Sequence, residues 1–132
     1  MNTTPTERLP LGSILVTADV IGLFINVPHK DGLEASEEAL EADHDLLPGQ
    51  ANYNLRLMEA VLTLNSFEYD EELYTQEDGC AIGTRAAPTY CGIFMTKLIR
   101  KAKREWFRKS TNEDNRPKHL RLFEDDFLFE WG

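Results

Sequence analysis

Three aspartates near the two ends of this sequence are of the type and setting that could bind a divalent cation. Asp19 is the single charged residue in the apolar stretch ILVTADVIGLFI, and Asp125 and Asp126 are adjacent within LFEDDFLFEW. A carboxylate in an apolar strand is costly unless it is paired or metal-bound. Converging carboxylates repel one another, and a cation relieves that repulsion. Because oxygen-only ligands suit Mg²⁺, these residues predict a magnesium site if the fold brings them together.

Each acid also has a purely structural explanation. Asp19 could sit at a strand end and bond to the backbone, and paired aspartates are common on protein surfaces. We expect a terminal β-hairpin with Asp125 and Asp126 at its tip, where both reach water, and strand alternation predicts that they point to opposite faces. If the first strand lies beside this hairpin, Asp19 and Asp125 converge near one point.

The elements that must position these acids follow from apolar periodicity and turn residues. Residues 13–20 predict a buried strand because they are rich in β-branched side chains. Three helices are expected, at 28–47 with Asp31 as N-cap, at 53–66, and from Pro88 to about residue 109. A small hairpin turning at Asp70 and Glu71 precedes the third helix, and loops are expected at 77–88 and 110–117.

These elements predict one α+β domain over residues 13–132, with helices packed on an antiparallel sheet, after a flexible lead-in over 1–12. The formal net charge of -9 opposes attraction of bulk polyanions. Cys80 and Cys91 have no zinc-site spacing and are expected to be reduced and inert. With no secretory segment and no apolar stretch long enough for a bilayer, an intracellular protein of the cytoplasm or nucleus, without membrane contact, is expected.

Three segments, in order, resemble the catalytic motifs of a reverse transcriptase palm, closest to the Penelope-like and group-II-intron-like retroelement type. LVTADVIGLFINVPHKDGLEA resembles the first motif, an acid in an apolar strand followed by an aromatic residue and Val-Pro. GCAIGTRAAPTYCGIFM resembles the second, a glycine loop leading through Ala-Pro into a helix. FEDDFLFEW resembles the third, an aromatic-x-Asp-Asp hairpin. The resemblance covers about residues 13–132 and implies a palm-like antiparallel sheet with helices on one face.

The resemblance also implies a role for each matching acid in an RNA-directed DNA polymerase, which is a nucleotidyltransferase. Asp19 and Asp125 match the metal-binding acids, and Asp126 matches the second acid of the hairpin, which binds metal less directly. The backbone carbonyl of Val20 would be a further ligand. The implied cofactor is a pair of Mg²⁺ or Mn²⁺ ions.

Four other residues match positions that contact substrate in this family. Phe24 matches an aromatic gate beneath the nucleotide sugar, which excludes a 2′-hydroxyl and favours deoxynucleotides. Gly83 matches the glycine that lets the backbone approach the nascent base pair, although Gly79 in the same loop competes for this role. Pro88 matches the start of the following helix, and Phe123 matches an aromatic residue near the primer end. The implied partners are a nucleic-acid primer-template and a deoxynucleoside triphosphate.

Two features depart from the family pattern. Glu124 stands before the acid pair, where the family usually has an apolar residue. Fingers, a later lysine-bearing motif and a thumb are not seen, so we expect a palm fragment that is inactive alone and that could self-associate through exposed apolar surface. The basic stretch at 97–109 could contact phosphate or form an ordinary solvated helix face.

Two other functions stay open at this point. The first is a non-enzymatic, decayed or domesticated palm remnant that acts as an interaction module. The second is an unrelated metal-dependent hydrolase, which would need a water-activating base or further ligands that the sequence does not display.

Overall fold

The structure is a computed structural model that describes residues 11–110 and 117–131. The expected lead-in and the loop before the terminal hairpin therefore lie largely outside the described residues. Within the described part, helices and antiparallel strands are mixed, as the α+β prediction requires. In chain order the elements are β1 Ile14–Asp19, α1 Leu23–Asn26, α2 His29–Glu41, α3 Gln50–Thr63, β2 Ser66–Tyr69, β3 Glu72–Thr75, α4 Ala87–Lys109, β4 Lys118–Phe123 and β5 Asp126–Trp131.

Strands from the two ends of the chain form a three-stranded antiparallel sheet in the order β1-β5-β4. Residues directly opposite each other in antiparallel strands share a face, and successive residues alternate between faces. The register therefore defines two faces. The first, called the acid face below, carries Leu15, Thr17, Asp19, Arg121, Phe123, Asp126, Leu128 and Glu130.

The long helix α4 packs on the opposite face of the sheet, against β5. Trp106 of α4 packs against Phe129 and Trp131 of β5, with ring centroids 6.5 and 5.5 Å apart. Leu122 and Phe127, on this same face, pack against the main hydrophobic core. The core joins α1, α3 and α4 through the buried side chains of Leu23, Val27, Leu62, Cys80, Ala87, Tyr90, Cys91 and Met95.

Close packing of α2 on α4 depends on the absence of a side chain at Gly32. Tyr90 of α4 is fully buried, and a Cβ added at Gly32 would overlap its ring and hydroxyl. The Tyr90 hydroxyl donates weak hydrogen bonds to the carbonyls of Pro28 and His29, at 3.4 and 3.5 Å. This contact fixes the start of α2 against the middle of the core.

The prediction of a buried first strand was wrong in one respect. β1 forms at Ile14–Asp19, but five of its six residues are exposed and only Val16 is half-buried. The physical reason is its place in the sheet: β1 is an edge strand bonded to β5 alone, and the acid-face residues are exposed except Glu130, which is buried and accepts a hydrogen bond from Ser13 Oγ at 2.6 Å. Its apolar composition marks the strand correctly but does not report its burial.

The first long helix is shorter than predicted and begins differently. α2 starts at His29 after Pro28, and no side chain caps it, so Asp31 lies in the first turn and is not the N-cap. The acid still suits that position because the helix dipole favours negative charge near the N-terminus. The helix ends at Glu41, where the acidic residues that follow oppose the same dipole at the C-terminus.

Other local predictions were confirmed. β2 and β3 form a hairpin whose turn is Asp70–Glu71, both with positive φ. α4 begins at Ala87 with Pro88 in its first turn. The one-turn helix α1 was missed; it follows Gly22, whose left-handed φ of 65° turns the chain at the end of β1.

Candidate functional site

Asp19 and Asp126 lie directly opposite each other in the register of β1 and β5. Opposite residues have Cβ atoms about 4.5–5.5 Å apart, and two like charges in such a pair destabilise the sheet. Both side chains are on the acid face and exposed to solvent. The pairing of β1 with β5 therefore places two carboxylates opposite each other at one end of the acid face.

Asp125 is placed differently from the prediction of two acids at a hairpin tip. The tip is formed by Glu124 and Asp125, whereas Asp126 is the first residue of β5. Strand alternation therefore does not apply to Asp125 and Asp126. The carbonyl of Asp125 accepts a hydrogen bond from the backbone N–H of Val20 at 3.0 Å, which joins the end of β1 to the turn.

Phe123 completes a row of side chains across the sheet. Phe123 of β4 and Asp19 of β1 both lie opposite Asp126 of β5, so all three side chains share the acid face. The ring is 76% exposed. The ring therefore gives an exposed apolar surface beside two carboxylates.

The residues that could hold a divalent cation are the two opposed carboxylates. Among residues 11–110 and 117–131 no three His, Cys, Asp or Glu side chains are grouped closely enough to hold a metal by themselves. Mg²⁺ usually keeps several waters and is held by one or two carboxylates together with substrate phosphates. The donor set of Asp19 and Asp126, all oxygen and open to solvent, fits that mode of binding.

Phe24 lies in α1, half-buried against the core. Its carbonyl accepts a hydrogen bond of 2.6 Å from the N–H of Cys80, in the glycine loop. His29 at the start of α2 holds the same loop, with Nε2 2.7 Å from the carbonyl of Gly79 and the N–H bonded to Asp78 Oδ1 at 3.3 Å. These contacts bring the segment after Asp19 against the loop.

The two glycines of this loop, Gly79 and Gly83, are favoured at their positions for different structural reasons. Gly79 has a φ of +76°, and an added Cβ would lie 2.5 Å from the carbonyl oxygen of Ile25. Gly83 has a φ of +99°, but no atom lies within 4 Å of an added Cβ. Gly79 is therefore required both for packing and for its positive φ, whereas at Gly83 only the positive φ favours glycine, and the residue is exposed. His29 was missed by sequence reasoning, since an isolated histidine gives no signal for a loop contact.

Two thiols, one from this loop and one from α4, are buried in the core. Cys80 and Cys91 are free and buried. Burial raises the pKa of Cys91 to about 12 and raises that of Cys80, because desolvation disfavours the thiolates. Burial therefore disfavours the thiolate form of both side chains, which pack in the hydrophobic core.

The basic residues of α4 include some that form ion pairs, whereas Arg100, Lys103 and Arg104 line a groove together with Leu122 and Glu124. Lys97 bridges Glu34 and Glu38 of α2 at 2.7 and 3.0 Å, and these partners raise the pKa of Lys97. Further along, Arg108 pairs with Glu105 at 2.8 Å. Trp106 places this half of α4 on the opposite side of the sheet from Asp19. The ion pairs at Lys97 and Arg108 are those of a solvated helix face.

No family model, curated protein or solved structure matches this chain. In the part of the chain that the structure describes, none of the helices is both long enough and apolar enough to cross a membrane.

Proposed function

We propose that this chain is the palm region of an RNA-directed DNA polymerase of the reverse transcriptase type, whose acid face carries the nucleotidyl-transfer site. The observation that carries the proposal is the register of the sheet. It pairs Asp19 with Asp126 on an open face, beside the exposed ring of Phe123. The order of the motifs along the chain supports the same function.

In this proposal Asp19 and Asp126 hold two divalent cations, so Asp126 takes the metal-binding role that the resemblance implied for Asp125. Asp125 lies in the turn, and the carbonyl of Val20, one residue after Asp19, would be a further ligand. The ions would neutralise the phosphates and lower the pKa of the attacking 3′-hydroxyl. The protein's part is to fix both carboxylates on neighbouring strands, whose ladder prevents them from moving apart. Phe123 would contact the primer end at the edge of the same row.

The nucleotide would lie over the exposed part of the glycine loop at Gly83, since Gly79 is packed directly against Ile25 of α1. Phe24 is held near this loop by the bond from its carbonyl to Cys80, so its ring could lie beneath a deoxyribose. Gly83, with open space around it, lets the backbone come close to a base pair. Pro88 begins the helix that follows, and its fixed φ orients that first turn.

The direct test is where Mn²⁺ binds. We expect titration with Mn²⁺ to broaden the backbone amide NMR signals of Val20, Phe123 and Phe127 before those of Asn52 on α3. Asp19→Asn and Asp126→Asn should each remove this localised broadening. Asp45→Asn, a change of the same type and charge in the exposed loop after α2, should leave it unchanged.

Broadening that spreads over all acidic surfaces, or that survives both Asn variants, would refute a metal site at this register pair. The nucleotide part has its own readout. In the presence of Mn²⁺, a deoxynucleoside triphosphate should shift the amide signals of residues 79–84, and a nucleoside without phosphates should not. Phosphate-independent shifts would argue against a polymerase site.

A second candidate is a non-enzymatic interaction module built on a palm-like sheet. It is favoured by the apolar residues of the acid face, since Leu15 is 59% and Leu128 is 39% exposed. This candidate predicts that Asp19→Asn changes no binding property, whereas Leu128→Ser weakens self-association in sedimentation velocity. The polymerase proposal predicts instead that Asp19→Asn weakens metal binding and that Leu128→Ser leaves metal binding unchanged.

A further inference from the structure

The β2–β3 hairpin carries three aromatic rings on one face. Phe67 lies opposite Tyr74, and Tyr69 lies opposite Glu72, so these four side chains share a face. The rings of Phe67 and Tyr74 stack with centroids 5.5 Å apart, and the Tyr74 hydroxyl donates a hydrogen bond of 3.1 Å to Glu72. The result is a ready-made aromatic platform with a carboxylate at its edge.

This platform is open to solvent. The exposed fractions are 52% for Phe67, 71% for Tyr69 and 41% for Tyr74. Within the described residues, neither strand of the hairpin packs extensively against any other helix or strand. A two-stranded hairpin is only marginally stable by itself in water, and three exposed rings on one side of it form an unsatisfied apolar surface.

The charge of the segment decides what can cover the platform. Between Arg56 and Arg85 the chain contains seven acidic residues and no lysine or arginine. Six of the seven lie between Glu68 and Asp78, on and beside the hairpin. A nucleic acid would be repelled by this charge, and a purely apolar partner would leave the carboxylates without partners.

We propose that the aromatic face of the β2–β3 hairpin docks a lysine- and arginine-rich segment of a partner protein. Cationic side chains are attracted to the faces of aromatic rings, and Arg in particular stacks on them. The neighbouring carboxylates, with Glu72 on the same face, would accept charge-assisted hydrogen bonds from the same segment. This surface is separate from the acid face of the sheet and goes beyond nucleotidyl transfer.

The test is binding of a fluorescent peptide of alternating arginine and serine to the whole chain, followed by anisotropy. A peptide with glutamine in place of every arginine controls for non-ionic contact. Tyr69→Thr should weaken binding of the arginine peptide about two- to fivefold, the range expected for one exposed cation–π contact. Tyr69→Phe keeps the ring and should keep the affinity.

A matched control lies on the other side of the same hairpin. Leu73 is 76% exposed and shares its face with Glu68, so Leu73→Thr removes an equally exposed apolar group from the opposite face. It should leave the affinity unchanged. An equal loss in Tyr69→Thr and Leu73→Thr, or no loss in either, overturns the proposal.

Charge is tested in the same way. Glu72→Gln and Glu68→Gln change the net charge equally but alter opposite faces of the hairpin. We expect the arginine peptide to bind more weakly to Glu72→Gln than to Glu68→Gln. Equal effects would mean non-specific attraction to an acidic protein and would overturn the proposal.

The platform could instead be occupied by a second copy of this chain, docking through its basic residues 97–109. Sedimentation velocity distinguishes this occupant from a partner protein. We expect the Tyr69→Thr change to leave the sedimentation coefficient unchanged. Salt-sensitive self-association that Tyr69→Thr abolishes would assign the platform to that second copy and overturn the proposal of a partner protein.

Discussion

Asp19 of β1 and Asp126 of β5 are register partners, side by side and both exposed on the acid face of the sheet. Two carboxylates at this spacing repel each other in the absence of a cation. The stability of the sheet should therefore report the occupancy of the proposed metal site, independently of any polymerase activity.

We first predict that neutralising either acid stabilises the metal-free protein. In a chelating buffer, Asp126→Asn should raise the free energy of unfolding by about 0.2–1 kcal/mol, because it removes a like-charge cross-strand pair. Millimolar Mg²⁺ should raise the midpoint of thermal unfolding of the parent and not of the variant. An equal Mg²⁺ response in both proteins would contradict binding at this pair.

We predict that Glu124→Gly stabilises the terminal hairpin. The turn consists of Glu124 and Asp125, and of these two only Glu124 has a positive φ, of 53°. A two-residue hairpin turn with this pattern favours Gly at its first residue, which here is Glu124. Relief of the left-handed conformation should add about 0.5 kcal/mol to the free energy of unfolding in urea. Asp125→Gly, at the neighbouring position, should lower it instead.

We predict opposite effects for two helical glycines. Gly32→Ala should lower the free energy of unfolding by about 1–3 kcal/mol, because the new methyl overlaps the buried ring of Tyr90. Gly92→Ala, in α4, meets no atom within 4 Å and should raise it by about 0.5–1 kcal/mol through helix propensity. Chemical denaturation of both variants measures the difference, and the same sign for both would contradict the packing of α2 on α4.

The buried thiols predict a loss of stability at alkaline pH. The pKa of Cys91 is raised from 9.0 to about 12 in the folded protein, so above pH 9 the unfolded chain ionises and the folded chain does not. Stability from this group is fully present below pH 9 and falls as the pH rises toward 12. The slope is at most about 1.4 kcal/mol per pH unit for each such thiol.

This pH dependence is measured by urea unfolding between pH 8 and 11 in a reducing buffer. Cys91→Ala should make the slope shallower, although the variant is less stable throughout because a buried sulfur is lost. As an independent check, an alkylating reagent should modify Cys80 and Cys91 slowly in the native protein and rapidly in urea. Fast labelling under native conditions would contradict their burial.

Local signals in the sequence determined much of the architecture. The hairpin turn at Asp70–Glu71 and the start of α4 at Pro88 were predicted because turn residues and proline act on their immediate neighbours. The helical stripe of α3 and the alternation in the terminal hairpin likewise report which side chains can share a face. The three aspartates were identified as candidates from their residue type, their apolar surroundings and the resemblance to palm motifs, since charge is unusual in apolar strands.

The tertiary structure alone decided which acids meet and what is covered. It placed Asp126 opposite Asp19 and left Asp125 in the turn, because register depends on pairing between distant segments. It placed β1 at an exposed edge of the sheet, which the apolar composition of this strand did not predict. It also assigned Gly32 to the contact with Tyr90. Burial and register are properties of pairs of segments far apart in the chain, whereas sequence patterns record only the preferences of each segment.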